Sequence, residues 1–539
     1  MKAKPFLEAA GFAVLYTLPL ASAFFRPWHL DTFHHAHPVA SIPRALLLLT
    51  LLAWAFAWIA LAALDRLPPR GRAVAGIALP TLLVWLLGRV GAGIFEVHPT
   101  AVEGVLFASH IGVVLLPILL LALWWLRSKM LQRALDATRA FFTVATFGML
   151  ILLPKLAWQG LRFEASEPSS FSHPLPTAAS IQPRIIWMLM DELSYNQIFE
   201  HRPPGLTFPN LEQFAQHSTT FSDLQPTAYY TEEVIPGLFL GQHIADVEHI
   251  YGRPFRFRSV DRGPWYPYDP WQTVFGDARR LGWTTGIAAW YNPYCRFLRS
   301  VLDRCSWQFS DVYPDVPVDL HYDGSTFQNL LSLLPPHERI MPVTDRTIYH
   351  ETHLRDYQKV MAQSEDLLRD ARIRFVMLHL PVPHTPGIYD RHRQALAASG
   401  NYIDNLVLAD KTLGQLLNLV QSTPDASQTS IIVSSDHSWR VDHWKKRPDW
   451  TPEEKRDSGE RFDTRPVLMV HLPGSEDGQV ISQPVSAVVV HGILQAMLRN
   501  QVHSPADIAA LAAQPAAQPQ PAQQNGDNAL SPEGGAAPD

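Results

Sequence analysis

The first 160 residues consist largely of apolar stretches, each long enough to cross a bilayer. Five such stretches occupy residues 6–25, 45–64, 73–95, 105–126 and 140–158. About twenty helical residues span the hydrocarbon core of a membrane, which is roughly 30 Å thick. The hydrophobic pattern therefore predicts a transmembrane domain of five helices over residues 1–160.

The charges between these stretches alternate between the two sides of the predicted membrane. The third loop carries Glu96 and Glu103 and neither Lys nor Arg. The N-terminus, the second loop and the fourth loop are basic, with Lys2, Lys4, Arg66, Arg70, Arg72, Arg127, Lys129, Arg133 and Arg139. Because Lys and Arg accumulate on the cytoplasmic side, the N-terminus and the second and fourth loops are predicted to be cytoplasmic. With an odd number of spans, everything after Trp158 is then predicted to be exported. The first span is interpreted as retained, because it is long and lacks a small-x-small cleavage site.

Beyond residue 183, short apolar runs alternate with amphipathic stretches. Runs typical of strands lie at 185–190, 219–224, 284–289, 375–380, 431–435 and 466–472. Helical spacing or helix start and stop signals mark 209–217, 231–241, 275–281 and 406–420. Strands that alternate with helices predict an α/β domain with a mainly parallel, doubly wound sheet.

The same pattern divides the rest of the chain. Residues 161–183 are rich in Ser, Pro and Ala and are predicted to be a linker, and 184–511 form the α/β domain. Residues 512–539 are an Ala-, Gln-, Pro- and Gly-rich tail that is predicted to be disordered. Within the α/β domain, 246–271 has little periodicity and is predicted to be an insertion near the site or against the membrane surface.

Composition adds two constraints. The formal net charge of -6 and the 17% of charged residues fit a partly membrane-embedded protein and offer no basic surface for nucleic acid. The two cysteines, Cys295 and Cys305, lie in the exported part, where they either form a disulfide or remain two free thiols. Two cysteines alone supply too few ligands for a zinc site.

Acidic residues and a histidine follow two of the predicted buried strands. Asp191 and Glu192 end the strand 185–190, and Asp436 and His437 follow the strand 431–435. The carboxyl ends of parallel strands are where an α/β sheet presents a metal ion to a substrate. A polar strand end, a helix cap and a structural ion pair are the alternatives. The pattern favours a divalent metal bound by these four residues.

Thr231 begins the predicted helix 231–241 and is the candidate nucleophile. A hydroxyl at a helix N-terminus can attack phosphorus while the helix amides hold the phosphoryl oxygens, and a metal on the same oxygen lowers the pKa of the hydroxyl. Thr227 is the alternative nucleophile. A simple helix cap is the alternative role for Thr231.

Three further residues are candidates for contact with a substrate. His384 lies between two prolines in a loop after the strand 375–380. It is a candidate to hold a phosphoryl group or to protonate a leaving alkoxide, and a surface histidine is the alternative. His443 and Lys445 follow the Asp-His pair closely and are candidate substrate-binding residues.

The order of these segments resembles the sulfatase branch of the alkaline phosphatase superfamily over most of residues 184–474. The segment from Phe208 to Phe221 is similar to that family's Pro-Asn-Leu-Asp-x-Leu-Ala-x-x-Gly-x-x-Phe segment. His384-Thr-Pro386 is similar to its Pro-His-x-Pro loop, and Ser435-Asp-His-Ser438 to its Ser-Asp-His-Gly. Five spans ahead of such a domain resemble lipoteichoic acid synthases and phosphoethanolamine transferases. The resemblance implies a transferase that moves a phosphorylated headgroup from a lipid donor.

Departures from the family pattern narrow what the resemblance implies. Where sulfatases mature a Cys or Ser in a Cys-x-Pro-x-Arg motif, this chain has Thr231-Glu-Glu-Val-Ile. The family's Gly-Lys-Trp-His segment, which holds sulfate, is replaced by a segment ending at Asn292, a candidate substrate-binding residue. Both differences disfavour sulfate-ester hydrolysis. Two-zinc relatives carry Asp-x-x-x-His before the Asp-His strand, whereas here Gly414 follows Asp410 at that spacing. One divalent ion is therefore expected, with zinc or manganese ahead of calcium or magnesium.

The leading hypothesis is a membrane-bound, metal-dependent transferase with its catalytic domain outside the cytoplasmic membrane, in the periplasm or extracellular space. Thr231 would take the phosphoryl group from a lipid-linked donor, and a hydroxyl acceptor or water would release it. A hydrolase of phosphate or sulfate esters at the same site and a catalytically silent membrane scaffold are the alternatives.

Sulfatases use two adjacent acids and the transferases one Glu, so the sequence leaves open whether Asp191 and Glu192 both bind metal.

Overall fold

The N-terminal part of the chain is a bundle of apolar helices. The computed structural model describes residues 3–25, 40–94, 114–119, 121, 128–162, 170–175, 183–249, 255–259, 263–309, 325–334, 346–447 and 449–514. The helices of the bundle are α1 (Ala3–Phe25), α2 (Ser41–Leu64), α3 (Pro69–Ile94), α4 (Ser128–Ala145) and α5 (Met149–Arg162).

Four segments of the described bundle are long and apolar enough to cross a membrane, namely Lys4–Ser22, Ser41–Leu64, Pro69–Gly91 and Met130–Arg162. They match the first, second, third and fifth predicted spans, and they indicate membrane anchoring. The fourth predicted span, 105–126, lies mostly outside the described residues.

Polar contacts mark two opposite ends of the bundle. At one end, Arg139 pairs with Glu8 at 2.6 Å and with Asp65 at 2.7 Å, which joins α4 to the start of α1 and the end of α2. At the other end, Arg44 Nε donates to the Gly160 carbonyl at 2.6 Å, which joins the start of α2 to the end of α5.

The rest of the described chain is an α/β domain. Its strands are β1 (Ser170–Ser172), β2 (Arg184–Met190), β3 (Thr219–Phe221), β4 (Leu224–Gln225), β5 (Ile244–Glu248), β6 (Arg256–Ser259), β7 (Tyr266–Pro267), β8 (Thr285–Trp290), β9 (Arg304–Gln308), β10 (Phe375–Leu380), β11 (Tyr389–Asp390), β12 (Ala395–Leu396), β13 (Thr429–Ser434), β14 (Leu468–His471), β15 (Gln479–Ile481) and β16 (Val485–Ser486). Nine of them form one sheet in the order β1-β9-β8-β10-β2-β13-β14-β3-β15. The run from β9 to β13 is parallel, and β1 and β14 pair antiparallel with their neighbours in that run. The predicted mainly parallel sheet is confirmed.

Helices cover both faces of this sheet. The helices of the α/β domain are α6 (Pro209–Gln216), α7 (Thr231–Leu240), α8 (Val274–Arg280), α9 (Tyr294–Phe297), α10 (Thr326–Leu333), α11 (Arg346–Arg369), α12 (Tyr402–Gln421), α13 (Val441–Trp444), α14 (Pro452–Ser458), α15 (Val489–Leu498) and α16 (Pro505–Ala512). Residues of α7, α8 and α15 share one buried cluster with Trp187, and residues of α6, α11 and α12 share another with Met188. Successive strand side chains point to opposite faces, so a strand covered on both sides is apolar throughout.

Two predicted irregular regions contain strands. The predicted linker 161–183 includes β1, which pairs with β9 at the edge of the main sheet. The predicted insertion 246–271 includes most of a three-stranded antiparallel sheet of β5, β6 and β7. The predicted tail begins where α16 ends at Ala512, and residues beyond 514 lie outside the described part of the chain.

Two contacts tie the outer parts of the α/β domain in place. Cys295 and Cys305 form a disulfide between α9 and β9, which decides between the two alternatives left by the sequence. Helix α10 packs on the membrane bundle, where Leu330 and Leu333 are buried in one cluster with residues of α1, α2 and α5. Asn329 Nδ2 of α10 donates to Ser41 Oγ at 3.2 Å. The α/β domain thus contacts the end of the bundle that holds the start of α2.

Candidate active site

The predicted metal ligands converge because their strands are parallel neighbours. In the pairing of β13 with β2, Ser434 lies opposite Leu189, so Asp436 and Asp191 follow at the same edge of the sheet. Ligand atoms of Asp191, Asp436 and His437 all lie within 4.8 Å of one another. All three side chains are buried. Three of the four predicted ligands therefore form one compact cluster.

Thr231 lies directly against this cluster. Its hydroxyl donates to Asp436 Oδ2 at 2.8 Å and lies 3.2 Å from His437 Nε2. Thr231 is the first residue of α7, and the residue in the cap position is Tyr230, which makes no side-chain capping bond. The hydroxyl of Thr231 is thus directed at the acidic cluster and not at the helix amides, as a simple cap would be.

The carboxylate of Glu192 is not part of the cluster, although Glu192 is the direct neighbour of Asp191. Its backbone φ is 67°, a left-handed conformation that is uncommon outside glycine. Its Oε1 accepts hydrogen bonds from Arg440 Nε at 3.1 Å and from Trp444 Nε1 at 2.7 Å. The two adjacent acids therefore have different partners.

His384 lies on the other side of Arg440. Arg440 Nη2 lies 3.3 Å from His384 Nε2, while His384 Nδ1 bonds to the Thr385 carbonyl. Burial, reinforced by the Arg440 charge, holds the pKa of His384 well below its usual range. The ring is thus neutral near pH 7, with Nδ1 donating and Nε2 accepting. In this arrangement His384 positions Arg440 and holds no proton at Nε2 to give to a leaving group.

The electrostatics of the cluster fit a divalent cation. Burial, together with Asp436 and Glu192, raises the pKa of Asp191 well above its usual range. Burial and the nearby Arg440 lower the pKa of His437 to about 3, so its ring is neutral. Asp191 Oδ1 is buried and has no hydrogen-bond partner among the described residues. Two carboxyl groups and a neutral imidazole, with the Arg440 charge already paired to Glu192, leave negative charge that a bound cation would balance.

One buried histidine beside the cluster was missed by the sequence reasoning. His379 Nε2 lies 3.3 Å from Asp191 Oδ2, and its Nδ1 lies 2.6 Å from the Tyr294 hydroxyl. Burial lowers the pKa of His379 to about 4. The signal for it was a polar residue inside the otherwise apolar run of β10. Arg440 was missed as well, and its position three residues after His437 carried no comparable signal.

The remaining candidates lie at different distances from the cluster. Asn292 is buried, and its Nδ2 donates to the Thr231 carbonyl at 3.5 Å. Thr227 Oγ1 is buried and makes no hydrogen bond within the described part of the chain. His443 and Lys445 are exposed, and among the described residues neither has a hydrogen bond or ion pair to the cluster.

Asp410, which stands where two-zinc relatives begin Asp-x-x-x-His, belongs to the scaffold. Asp410 Oδ1 accepts from the Leu211 backbone amide at 2.9 Å, and Oδ2 accepts from Asn210 Nδ2 at 2.8 Å. This carboxylate thus fixes the first turn of α6 on α12. Within the described residues, Asp191, Asp436 and His437 form the one group of acids and histidines compact enough to hold a metal.

The chain belongs to the sulfatase family, whose model matches residues 183–498. No curated protein matches the chain. Solved structures similar to it include PsFucS1 sulfatase from Pseudoalteromonas sp., with 14% identity, 59% of this chain and 68% of that chain covered, and a TM-score of 0.37. The phosphonate monoester hydrolase of Agrobacterium radiobacter has 12% identity, coverages of 59% and 74%, and a TM-score of 0.31. Murine ectonucleotide pyrophosphatase/phosphodiesterase 5 has 9% identity, 59% of this chain and 95% of that chain covered, and a TM-score of 0.33.

Proposed function

We propose that this protein is a membrane-anchored phosphotransferase that moves a phosphorylated headgroup from a lipid donor through a covalent intermediate on Thr231. The observation that carries the proposal is the Thr231 hydroxyl, which is buried, begins a helix and donates to Asp436 at 2.8 Å. A serine or threonine hydroxyl becomes a nucleophile when an adjacent group accepts its proton or lowers its pKa. The hydroxyl and its acceptor are already in hydrogen-bond contact.

The reaction would proceed in two displacements. Thr231 Oγ1 forms a bond to the phosphorus of a phosphodiester headgroup while the bond from phosphorus to the lipid oxygen breaks. The hydroxyl proton leaves along the hydrogen bond to Asp436, and water protonates the lipid alkoxide. An acceptor hydroxyl then attacks the same phosphorus while the bond from phosphorus to Thr231 Oγ1 breaks. Asp436 returns its proton to Oγ1, and the hydroxide left by the first displacement takes the proton of the acceptor hydroxyl. With water as acceptor, the same site would act as a hydrolase.

Asp191, Asp436 and His437 would hold one divalent metal, with zinc or manganese favoured by the mixed nitrogen and oxygen ligands. A bound cation would lower the pKa of the Thr231 hydroxyl and neutralise charge on the phosphoryl oxygens. The N-terminus of α7, where Thr231 lies, would also attract the negatively charged phosphoryl group.

The membrane bundle and the disulfide support the donor and the compartment. A bundle that contacts the α/β domain through α10 keeps the domain at the membrane surface, where a lipid headgroup is presented. Disulfides persist in oxidising compartments, and Cys295–Cys305 lies in the part expected outside the cytoplasm. The proposed location is therefore the outer face of the cytoplasmic membrane.

Substitution of the nucleophile tests the proposal. Thr231→Ala should abolish transfer of a headgroup from vesicles of phosphatidylethanolamine and phosphatidylglycerol, and it should leave the metal content and the melting temperature near wild type. Thr231→Ser keeps the hydroxyl and should retain measurable transfer. Thr227→Ala removes the other candidate hydroxyl and serves as the matched control.

The pattern of losses separates the alternatives. Transfer that survives Thr231→Ala and fails in Thr227→Ala would assign the nucleophile to Thr227. Release of free headgroup without transfer to any acceptor hydroxyl would identify a hydrolase. Absence of both metal and turnover in the wild-type protein would favour the silent scaffold.

A further inference from the structure

We infer that Glu192 is not a metal ligand but the anchor of Arg440, and that Arg440 binds a non-bridging oxygen of the substrate's phosphoryl group. The inference rests on the proposed function and names a residue of the same site. It also answers the question of whether both acids of the Asp191–Glu192 pair bind metal: one would hold the cation, and the other would hold the arginine.

The contacts of Glu192 describe an anchor. Its Oε1 accepts from Arg440 Nε at 3.1 Å, from the Arg440 backbone amide at 3.3 Å and from Trp444 Nε1 at 2.7 Å. The compact group of ligand atoms includes Asp191 and Asp436 but not Glu192. Oε1, which accepts from three donors, holds the Glu192 side chain on the arginine side of the site, and Oε2 is buried without a hydrogen-bond partner among the described residues.

The contacts of Arg440 hold it in a single position. Nε bonds to Glu192, Nη2 lies 3.3 Å from His384 Nε2, and the guanidinium carbon lies over the rings of Tyr229 at 5.7 Å and Trp444 at 5.8 Å. Nη1 makes no hydrogen bond within the described residues. It is also not fully buried. The guanidinium therefore has one edge fixed by the protein and an amino group left to donate.

The charge of Arg440 acts on the reaction centre. The pKa of Arg440 is raised by Glu192, Asp191 and Asp436 against the opposing effect of burial, and Arg440 in turn lowers the pKa of His437. The backbone amide of Glu192, whose side chain holds the guanidinium, donates to Asp436 Oδ1 at 3.2 Å, which places Arg440 beside the cluster. A fixed planar guanidinium is suited to a phosphoryl group, because its donors match the spacing of two oxygens and it remains charged.

Metal content separates the two acids. Asp191→Asn and Glu192→Gln are isosteric changes at adjacent positions. Elemental analysis of each purified full-length variant measures its metal content. The expected result is stoichiometric metal in Glu192→Gln and a large loss in Asp191→Asn. Loss of metal in Glu192→Gln to the same degree as in Asp191→Asn would show that Glu192 is a ligand and would overturn the inference.

Anion binding tests Arg440. Binding of inorganic phosphate to the metal-loaded protein, measured by calorimetry, should weaken by about tenfold or more in Arg440→Gln, because a charge-assisted hydrogen bond is lost. Arg440→Lys should weaken binding less, and Glu192→Gln should weaken it while metal stays bound. Phosphate affinity equal to wild type in a folded Arg440→Gln protein would assign the arginine a structural role only. Neither readout requires turnover, so failure of covalent transfer would be seen separately.

Discussion

Asp191 and Glu192 show what can and cannot be predicted at the scale of single residues. An unbroken apolar strand followed by two acids predicted their place at the edge of the sheet. It could not predict that their side chains separate, because that depends on the left-handed backbone of Glu192 and on Arg440, which lies 248 positions away. The positions of Asp436 and His437 after β13 were easier to predict, because parallel strands bring their carboxyl ends together. His379, the partner of Asp191, became recognisable as a neighbour only when β10 was placed beside β2.

A buried histidine predicts how stability depends on pH. Burial lowers the pKa of His353 to about 4 from an ordinary 6.5, so the unfolded chain binds a proton in this range and the folded chain does not. Its contribution to stability is complete above pH 6.5 and is lost as the pH falls from 6.5 toward 4. The slope is at most about 1.4 kcal/mol per pH unit for one proton.

His353→Gln removes this titration. Urea unfolding in detergent, followed by tryptophan fluorescence between pH 7 and 4.5, should show a smaller loss of unfolding free energy in the variant than in the wild type. His379 and His437 contribute in the same direction in both proteins, so the difference isolates His353. Identical slopes would mean that His353 is protonated in the folded protein.

At the scale of elements, strands covered on both faces were the most predictable. The run 375–380 matches β10 at both ends, and 185–190 lies within β2. The short strands β1, β5, β6 and β7 were missed, because two to five residues at a sheet edge or in a small sheet show no clear period. The N-terminus of α7 was predicted from Thr231 and the following acids, although the cap itself is Tyr230.

The contact between α6 and α12 provides a prediction at this scale. Asp410→Ala removes the acceptor of the Leu211 amide and of Asn210 Nδ2, and should lower the unfolding free energy by about 1–2 kcal/mol, as loss of a capping side chain does. The metal content should be unchanged, because Asp410 is committed to α6. Lys411→Ala, at the exposed neighbour, is the control and should stay within about 0.5 kcal/mol of wild type. Metal loss in Asp410→Ala alone would connect this helix to the metal site.

At the scale of the whole molecule, the two ends of the bundle have different partners. One end carries the Arg139 ion pairs, and the start of α2 at the other end contacts α10 of the α/β domain. The loop charges predict that the end with Arg139 lies in the cytoplasm and that the end in contact with α10 lies outside it. Apolar length and loop charge made the anchor predictable from the sequence. The docking of α10 was not, because it depends on a few side chains between segments distant in the chain.

Cross-linking tests the docking of α10. Ser41→Cys with Asn329→Cys places thiols at positions whose side chains are 3.2 Å apart, and a short bismaleimide should join them in intact membranes. The native cysteines are paired and do not compete. Phe327 is exposed on α10, so Ser41→Cys with Phe327→Cys is the matched control and should cross-link poorly. Equal cross-linking of the two pairs would contradict the docking, and reaction of the exposed Phe327→Cys with a membrane-impermeant reagent only after the membrane is opened would contradict the export of the domain.

If Thr231 carries the phosphoryl group during transfer, the covalent adduct can be trapped on this residue. The purified full-length protein is incubated with vesicles of phosphatidylethanolamine and phosphatidylglycerol, quenched in acid and analysed by peptide mass spectrometry with fragmentation. We expect a phospho-headgroup adduct that is localised to Thr231 and absent from Thr231→Ala. Headgroup turnover with no adduct on Thr231, together with full turnover in Thr231→Ala, would contradict it.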